Sequence, residues 1–349
     1  MDGNNSNYDP DAGRLRALLL SLRYCYRASK EVKSNLLGLL ISNHNASHGQ
    51  LVENIYRKLM DSKSIDKMEL ATHVKKSMDT IAKLHDIDIH VLMIPDEAYP
   101  SRFKEISDAP FVIMAKGNIK ALNPDKSIAV IGTREVAKEI YDSGIEFSMH
   151  LSQNGWMIVS GLARGCDSAG HIGCLKGQGI TTAILPSSIE KIYPTDNKQL
   201  AVDIAEGNGC LISEYLSSER IQKYFFVQRD RLQAALSDHV LVLQTGIKGG
   251  TMHTVKFAQR YGKSVIAYLP GSFMQSNVDI TGNRHLVDTK VATMFDDIDS
   301  LNTVLEHSEP GKKSTQGKAR KPKTKSKTKK TTKKKDDDQL LIQGIGEQE

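Results

Sequence analysis

Three segments of the 349-residue sequence combine glycine, hydroxyl and cationic side chains at spacings suited to holding an anion. They are Gly132-Thr133-Arg134, Ser160-Gly161-Leu162-Ala163-Arg164-Gly165 and Gly246-Ile247-Lys248-Gly249-Gly250-Thr251. Glycine lets backbone N–H groups approach a phosphate closely, Arg134, Arg164 and Lys248 add formal charge, and Thr133, Ser160 and Thr251 add hydroxyls. Each segment is weak alone: Gly-Thr-Arg also makes a tight turn, and the second segment has neither the G-x-G-x-x-G nor the G-x-x-x-x-G-K-[ST] order. Together they predict a phosphate-binding crest. Asp167 and His171 have the spacing of an acid–base pair, although four residues apart at a helix start they equally suit capping and packing. Cys25, Cys166, Cys174 and Cys210 form no CxxC pair, which predicts reduced thiols and neither a zinc site nor a disulfide framework. No metal or cofactor is expected.

The elements that must position these residues are legible in the apolar runs Ser127–Ile131, Met157–Val159, Thr181–Leu185, Cys210–Ile212, His239–Leu243 and Ser264–Tyr268. The runs are apolar on both faces and separated by enough chain for a helix, the pattern of parallel strands buried between two helical layers. The three glycine segments follow the first, second and fifth runs, at the carboxyl ends of strands, where an open α/β sheet binds its ligands. The predicted fold is therefore α/β, a doubly wound, mostly parallel sheet. Upstream, Leu15, Leu18, Leu19 and Leu22, then Leu51, Ile55 and Leu59, then Ala71, Val74, Met78 and Ile81 recur at helical spacing and predict a small all-helical N-terminal domain over 1–86. Val91–Ile94 and Phe111–Ala115 predict strands opening a second domain, 87–305. The remainder, 306–349, is a Lys-rich tail without core-forming residues, predicted to be disordered.

Charge is unevenly distributed. Of the 47 Lys and Arg, 13 lie between Lys312 and Lys335 without a single carboxylate, so the net +6 of the chain leaves −7 for everything else. A basic arm on a mildly acidic body suggests contact with a polyanion. The absence of an apolar leader at the N-terminus and of long apolar runs predicts a cytoplasmic chain with no membrane contact.

From Asp96 to Ala292 the ordered motifs resemble the DNA-processing protein A (DprA, or Smf) family. The matching residues are Asp96-x-x-Tyr99-Pro100 with Phe103, Ile106, Asp108, Pro110 and Gly117, then Ile131-Gly132-Thr133-Arg134, then Ser160-Gly161-Leu162-Ala163-Arg164-Gly165-Cys166-Asp167-x-x-Gly170-His171. They continue with Tyr193-Pro194-x-x-Asn197, Ser213-Glu214, Phe226-x-x-Arg229-Asp230-Arg231-Leu232, Lys248-Gly249-Gly250-Thr251, Tyr261-Gly262-Lys263 and Leu269-Pro270-Gly271. The resemblance implies an extended Rossmann-like core that binds single-stranded DNA without sequence preference, hands it to a RecA-type recombinase in natural transformation, acts as a homodimer and performs no catalytic step. The implied DNA pocket uses Arg134, Arg164, Arg229, Arg231 and Lys248, with Gly161, Gly165, Gly249 and Gly250 admitting phosphates. Tyr193, Phe225 and Phe226 are candidate base-stacking platforms.

The sequence departs from the family pattern at Cys166, where isoleucine is usual, and at Asp230, which replaces asparagine and brings a negative charge into the implied groove. Asp230 either pairs with Arg229 or Arg231 or weakens phosphate binding. The Lys-rich tail stands where many members carry a winged-helix segment. These departures suit a divergent member, and two other functional classes stay open. One is a regulatory, antitoxin-like or phage-defence protein that binds a nucleotide or nucleic acid and contacts a toxin or effector. The other is a nucleotide phosphoribohydrolase-like enzyme, against which stands the stretch Lys248–Thr254, lacking that class's acid/base glutamate.

Overall fold

The computed structural model describes residues 9–23, 30–43, 45–62, 65–271 and 278–307. Cys25 and the Lys-rich segment from Lys312 to Lys335 lie outside the described residues.

Seven of the strands in a nine-stranded sheet are parallel to one another. They are β3 (Ser127–Ile131), β4 (Met157–Ser160), β5 (Thr181–Leu185), β6 (Cys210–Ser213), β7 (His239–Val242), β8 (Ser264–Tyr268) and β9 (Thr293–Phe295). With β1 (His90–Met93) and β2 (Val112–Gly117) the order is β1-β2-β6-β5-β4-β3-β7-β8-β9, with β1 and β2 antiparallel to their neighbours. From β3 the chain winds outward through β4, β5 and β6, then returns across the sheet to β7, so order reverses between β3 and β7. Helices α5 (Lys138–Gln153), α6 (Cys166–Lys176), α8 (Lys223–Leu236) and α9 (Thr251–Arg260) follow β3, β4, β6 and β7 respectively, while α7 (Lys198–Glu206) joins β5 to β6.

Alternation along the central strands divides the core. Ala129, Ile131, Val159 and Val242 pack on the face that carries Leu232 and Leu236 of α8 and Val255 of α9. Ile128, Val130, Ile158 and Leu241 pack on the other, against Ile140 and Phe147 of α5 and Ala169 and Cys174 of α6. Both faces of each strand are thus buried, the reason these strands read as unbroken apolar runs. Helices α10 (Thr281–Asp288) and α11 (Ile298–His307) flank β9 in the chain.

Four helices precede the sheet: α1 (Pro10–Ser21), α2 (Lys30–Ser42), α3 (His48–Asp61) and α4 (Lys67–His85). Asp9 and Asp66 cap α1 and α4 through their carboxylates, and a Ser47/Gln50 capping box starts α3. Their core is continuous with the α8 face of the sheet. Two ion pairs fasten it: Arg16 to Asp96 at 3.0 Å and Arg23 to Glu219 at 2.7 Å. The expected apolar stripe on α4 needs correction. Ala71 and Met78 face solvent, and the buried positions are Leu70, Ser77 and Leu84, seven residues apart, with Val74 and Ile81 half-buried between them. Ser77 occupies one of these buried positions, which hydrophobicity alone does not register.

Candidate functional site

The three glycine segments leave the carboxyl ends of β4, β3 and β7, three adjacent strands that straddle the reversal of strand order. In an open α/β sheet this is where a crevice opens for ligands. The segments also start helices α6 and α9, whose N-terminal dipoles favour an anion.

The loops are bound to one another. Thr133 N–H donates to Gln244 O at 2.8 Å and Cys166 N–H to Thr133 O at 3.1 Å. Gly132 lies against Cys166 so closely that a Cβ there would overlap its sulfur. Gly165 has φ of +75°, and a Cβ there would come within 2.6 Å of the Arg134 carbonyl oxygen. Glycine is required at both places. On the β7 side, Gln244 Oε1 accepts from Ala137 N–H at 2.9 Å, and the buried Asn283 amide accepts from Thr245 N–H while donating to Val242, Leu243 and Tyr268 carbonyls. Asn283 was not among the sequence candidates, since a lone asparagine inside a helix carries no motif.

Much of the anticipated anion-binding backbone is already occupied. Gly161 and Ala163 N–H both donate to Asp167 Oδ2 at 3.2 Å, so a carboxylate of the protein itself sits in the cradle at the start of α6. Burial raises the Asp167 pKa, opposed by the Arg229 charge and these hydrogen bonds. Ser160 Oγ is buried and donates to Val130 O at 2.6 Å, and Ser168 Oγ and Asn197 Nδ2 hold the Ala163 and Leu162 carbonyls. The loop is a self-satisfied scaffold.

The cations divide into two groups. Arg134, Arg164 and Lys248 are exposed, as is Gly250; Gly132, Thr133, Gly165 and Gly249 are half-buried; Ser160, Gly161 and Thr251 are buried. Arg134 lies over the Phe226 ring at 5.2 Å and makes no ion pair among the described residues, whereas Arg164 pairs with Asp196. Arg229 and Arg231, expected in the same pocket, are each only 6% exposed, and Arg229 lies beneath the β4 loop. Arg229 donates to Gly161 O, to Ile184 O at 3.0 Å and, through Nε, to Asp230 Oδ1 at 3.0 Å. Arg231 points elsewhere, donating to Glu214 Oε1 at 2.8 Å with Asp108 Oδ2 at 3.5 Å. Both guanidiniums are held by protein acceptors, as the burial of a charged group favours.

Of the aromatic candidates, Phe226 and Tyr193 meet edge to face at 5.7 Å beside Arg134, with Tyr193 exposed. Phe225 is buried and stacked on Tyr215 at 3.9 Å. Asp230 pairs with Arg229, and its pKa rises to about 7 through burial and the Asp167 charge, against the pull of Arg229 and Arg134. His171 is fully buried, with Nδ1 2.7 Å from Thr181 Oγ1, and burial lowers its pKa to about 3. With Asp167 bound into the loop and His171 shut off from solvent, the two support the scaffold and do not open onto the crest. Cys166, Cys174 and Cys210 are free and buried, and no group of three metal-ligating side chains occurs among the described residues. No described helix is long and apolar enough to cross a membrane.

The family model of DNA recombination-mediator protein A matches residues 90–306, well over half of the chain. A Smf protein of Borreliella burgdorferi is 36% identical over 181 residues, 51% of this chain and 56% of the relative. The DNA processing protein DprA of Streptococcus pneumoniae is 34% identical over 207 residues, 59% of this chain and 71% of the relative. The chain thus spans little more than half of the Borreliella protein's length. Among solved structures, DNA processing protein A from Helicobacter pylori, described for its unique single-stranded DNA binding mode, has a TM-score of 0.56 and 30% identity, covering 63% of this chain and 96% of that one. The Streptococcus pneumoniae DprA crystal structure has a TM-score of 0.65 over 82% of this chain and 97% of that one, at 24% identity, and shows the shared fold.

Proposed function

The chain belongs to the DNA recombination-mediator protein A family, and from that premise we propose that it binds single-stranded DNA along the crest formed by the β3, β4 and β7 loops. The observation that carries the reading is Arg134: an exposed cation, without an ion pair among the described residues, beside Phe226 and Tyr193, at the point where strand order reverses. A cation for the phosphates adjoining aromatic edges for the bases is how single strands are held without sequence preference. Because the loop N–H groups of Gly161 and Ala163 are spent on Asp167, phosphate recognition falls mainly to Arg134, Lys248 and Arg164. The bound strand would be protected and passed to a RecA-type recombinase by a homodimer in the cytoplasm, with no chemical step at the crest. The committed positions of Asp167 and His171 support that reading over hydrolysis.

Arg134→Ala tests it. A charge-assisted hydrogen bond to phosphate contributes about 1.5–3 kcal/mol, so affinity for a labelled oligonucleotide falls about tenfold or more while the melting temperature is unchanged. Unchanged affinity in fluorescence anisotropy refutes the assignment. Nucleotide release during the same titration would instead favour an enzyme, and binding of a mononucleotide in preference to the strand would favour a regulatory sensor.

A further inference from the structure

We propose that the N-terminal helices position the aromatic edge of the crest, with Arg23 as the positioning residue that carries their hold to Phe226. This inference rests on the single-strand reading above, in which Phe226 is an aromatic edge for the bases.

Phe226 stands in the first turn of α8, a turn with little of its own to fix it. Gln222, the N-cap, makes no side-chain hydrogen bond to the helix, and residues 220–224 are exposed. The first buried side chain of α8 is that of Phe225, next to Phe226, stacked on Tyr215 at 3.9 Å with the rings 15° apart. Tyr215 belongs to the connection 214–222 between β6 and α8.

That connection is gripped from the helical side of the molecule. Arg23, just past the end of α1, places its guanidinium 5.2 Å from the centre of the Tyr215 ring and donates to both carboxylate oxygens of Glu219, at 2.7 and 2.9 Å. Two parallel hydrogen bonds fix the plane of a guanidinium as well as its position. The Glu219 carboxylate also closes its own turn, accepting from Leu216 N–H at 2.8 Å, and Glu219 N–H donates to Leu216 O at 2.9 Å. From Arg23 the contacts therefore run through Tyr215 to Phe225, and the backbone of α8 carries them to Phe226. Phe226 in turn meets Tyr193 at 5.7 Å and lies 5.2 Å from the Arg134 guanidinium. Without Arg23, Tyr215 loses its cation and the turn its clamp, so the first turn of α8 gains freedom that base stacking then has to remove.

Arg16, on α1, leads elsewhere. Its partner Asp96 accepts from Met93 N–H at 2.8 Å and so closes the turn after β1. Removing Arg16 loosens the helices from the sheet without touching the route to Phe226.

The test titrates the full chain and its variants against fluorescent oligo-dT by anisotropy, with thermal melts establishing that each is folded. Arg23→Ala is expected to weaken binding about fivefold, the low end for one stacked base. Arg23→Lys keeps a cation near Tyr215 and a donor for Glu219, and should recover most of that loss. In a Phe226→Ala background, Arg23→Ala should change affinity by less than about twofold, because residues that act through one contact are not additive. Arg16→Ala should bind as wild type does. If Arg23→Ala does not fold, Glu219→Gln carries the same measurements, since it keeps an acceptor for Leu216 N–H and removes the ion pair. Wild-type affinity in the Arg23→Ala protein, full additivity with Phe226→Ala, or equal losses from the Arg16 and Arg23 variants each overturn the proposal while leaving single-strand binding intact. Absence of oligo-dT binding by the wild-type protein overturns the single-strand reading, and this proposal with it.

Discussion

Replacing Gly161 by alanine probes the scaffold of the crest at its tightest point. A Cβ there would overlap the Arg229 guanidinium and press on Gln233 Nε2. The guanidinium has nowhere to go, since it is 6% exposed and bound to Ile184 O and Asp230 at 3.0 Å each, besides the Gly161 carbonyl itself. Displacing it breaks a buried pair and strands its charge, which costs about 3–5 kcal/mol. That is a large part of the roughly 5–15 kcal/mol by which a folded domain is stable. At about 2–4 °C per kcal/mol, the melting temperature should fall by roughly 6–20 °C. Gly250→Ala is the control. It is also a loop glycine, yet its φ of −57° and ψ of −30° suit any residue and nothing lies within 4 Å of its Cβ position. That substitution should shift stability by no more than about 1 kcal/mol, in the stabilising direction if at all. Thermal melts by circular dichroism compare the three proteins. A Gly161→Ala protein melting within about 2 °C of wild type would refute the placement of Arg229 beneath the loop, since a guanidinium free to step aside yields without cost.

Asp196→Ala should release Arg164, whose partner is 57% exposed, leaving stability within about 1 kcal/mol and raising single-strand affinity a few-fold in anisotropy titrations. A fall in affinity would mean that Arg164 acts only when held by Asp196. Glu214→Ala should lower stability by about 3–5 kcal/mol in urea unfolding, because it leaves the buried Arg231 with no carboxylate nearer than the half-exposed Asp108 at 3.5 Å; an unchanged midpoint contradicts that burial. Truncation after Glu309 removes the 13 cations of the tail. If half of them engage phosphates, the slope of log affinity against log salt becomes shallower by roughly 4, and an unaltered slope marks the tail as a solvated end.

Much of this protein could be read without its tertiary structure. The runs Ser127–Ile131, Thr181–Leu185 and Ser264–Tyr268 are strands with the same bounds in the fold, because strands buried on both faces must be apolar at every position. The glycine segments sit at strand ends for an equally local reason: tight turns and close approaches tolerate few other residues, as the positive φ of Gly165 illustrates. The antiparallel pair β1 and β2 was legible as strands but not as an edge, since partner choice depends on distant β6. The fate of the arginines needed three dimensions. Arg229-Asp230-Arg231 reads along the chain as one cationic cluster, yet residues two apart on an α-helix point about 200° away from each other. One guanidinium therefore passes under the β4 loop to Gly161, and the other turns to Glu214. The same applies to the cradle of α6, where sequence offers free N–H groups to a ligand and the fold fills it with Asp167. Composition and spacing determine which chemistry a loop can perform. Only packing decides which of its donors and charges are still unspent, because burial strongly favours polar groups that find a partner within reach.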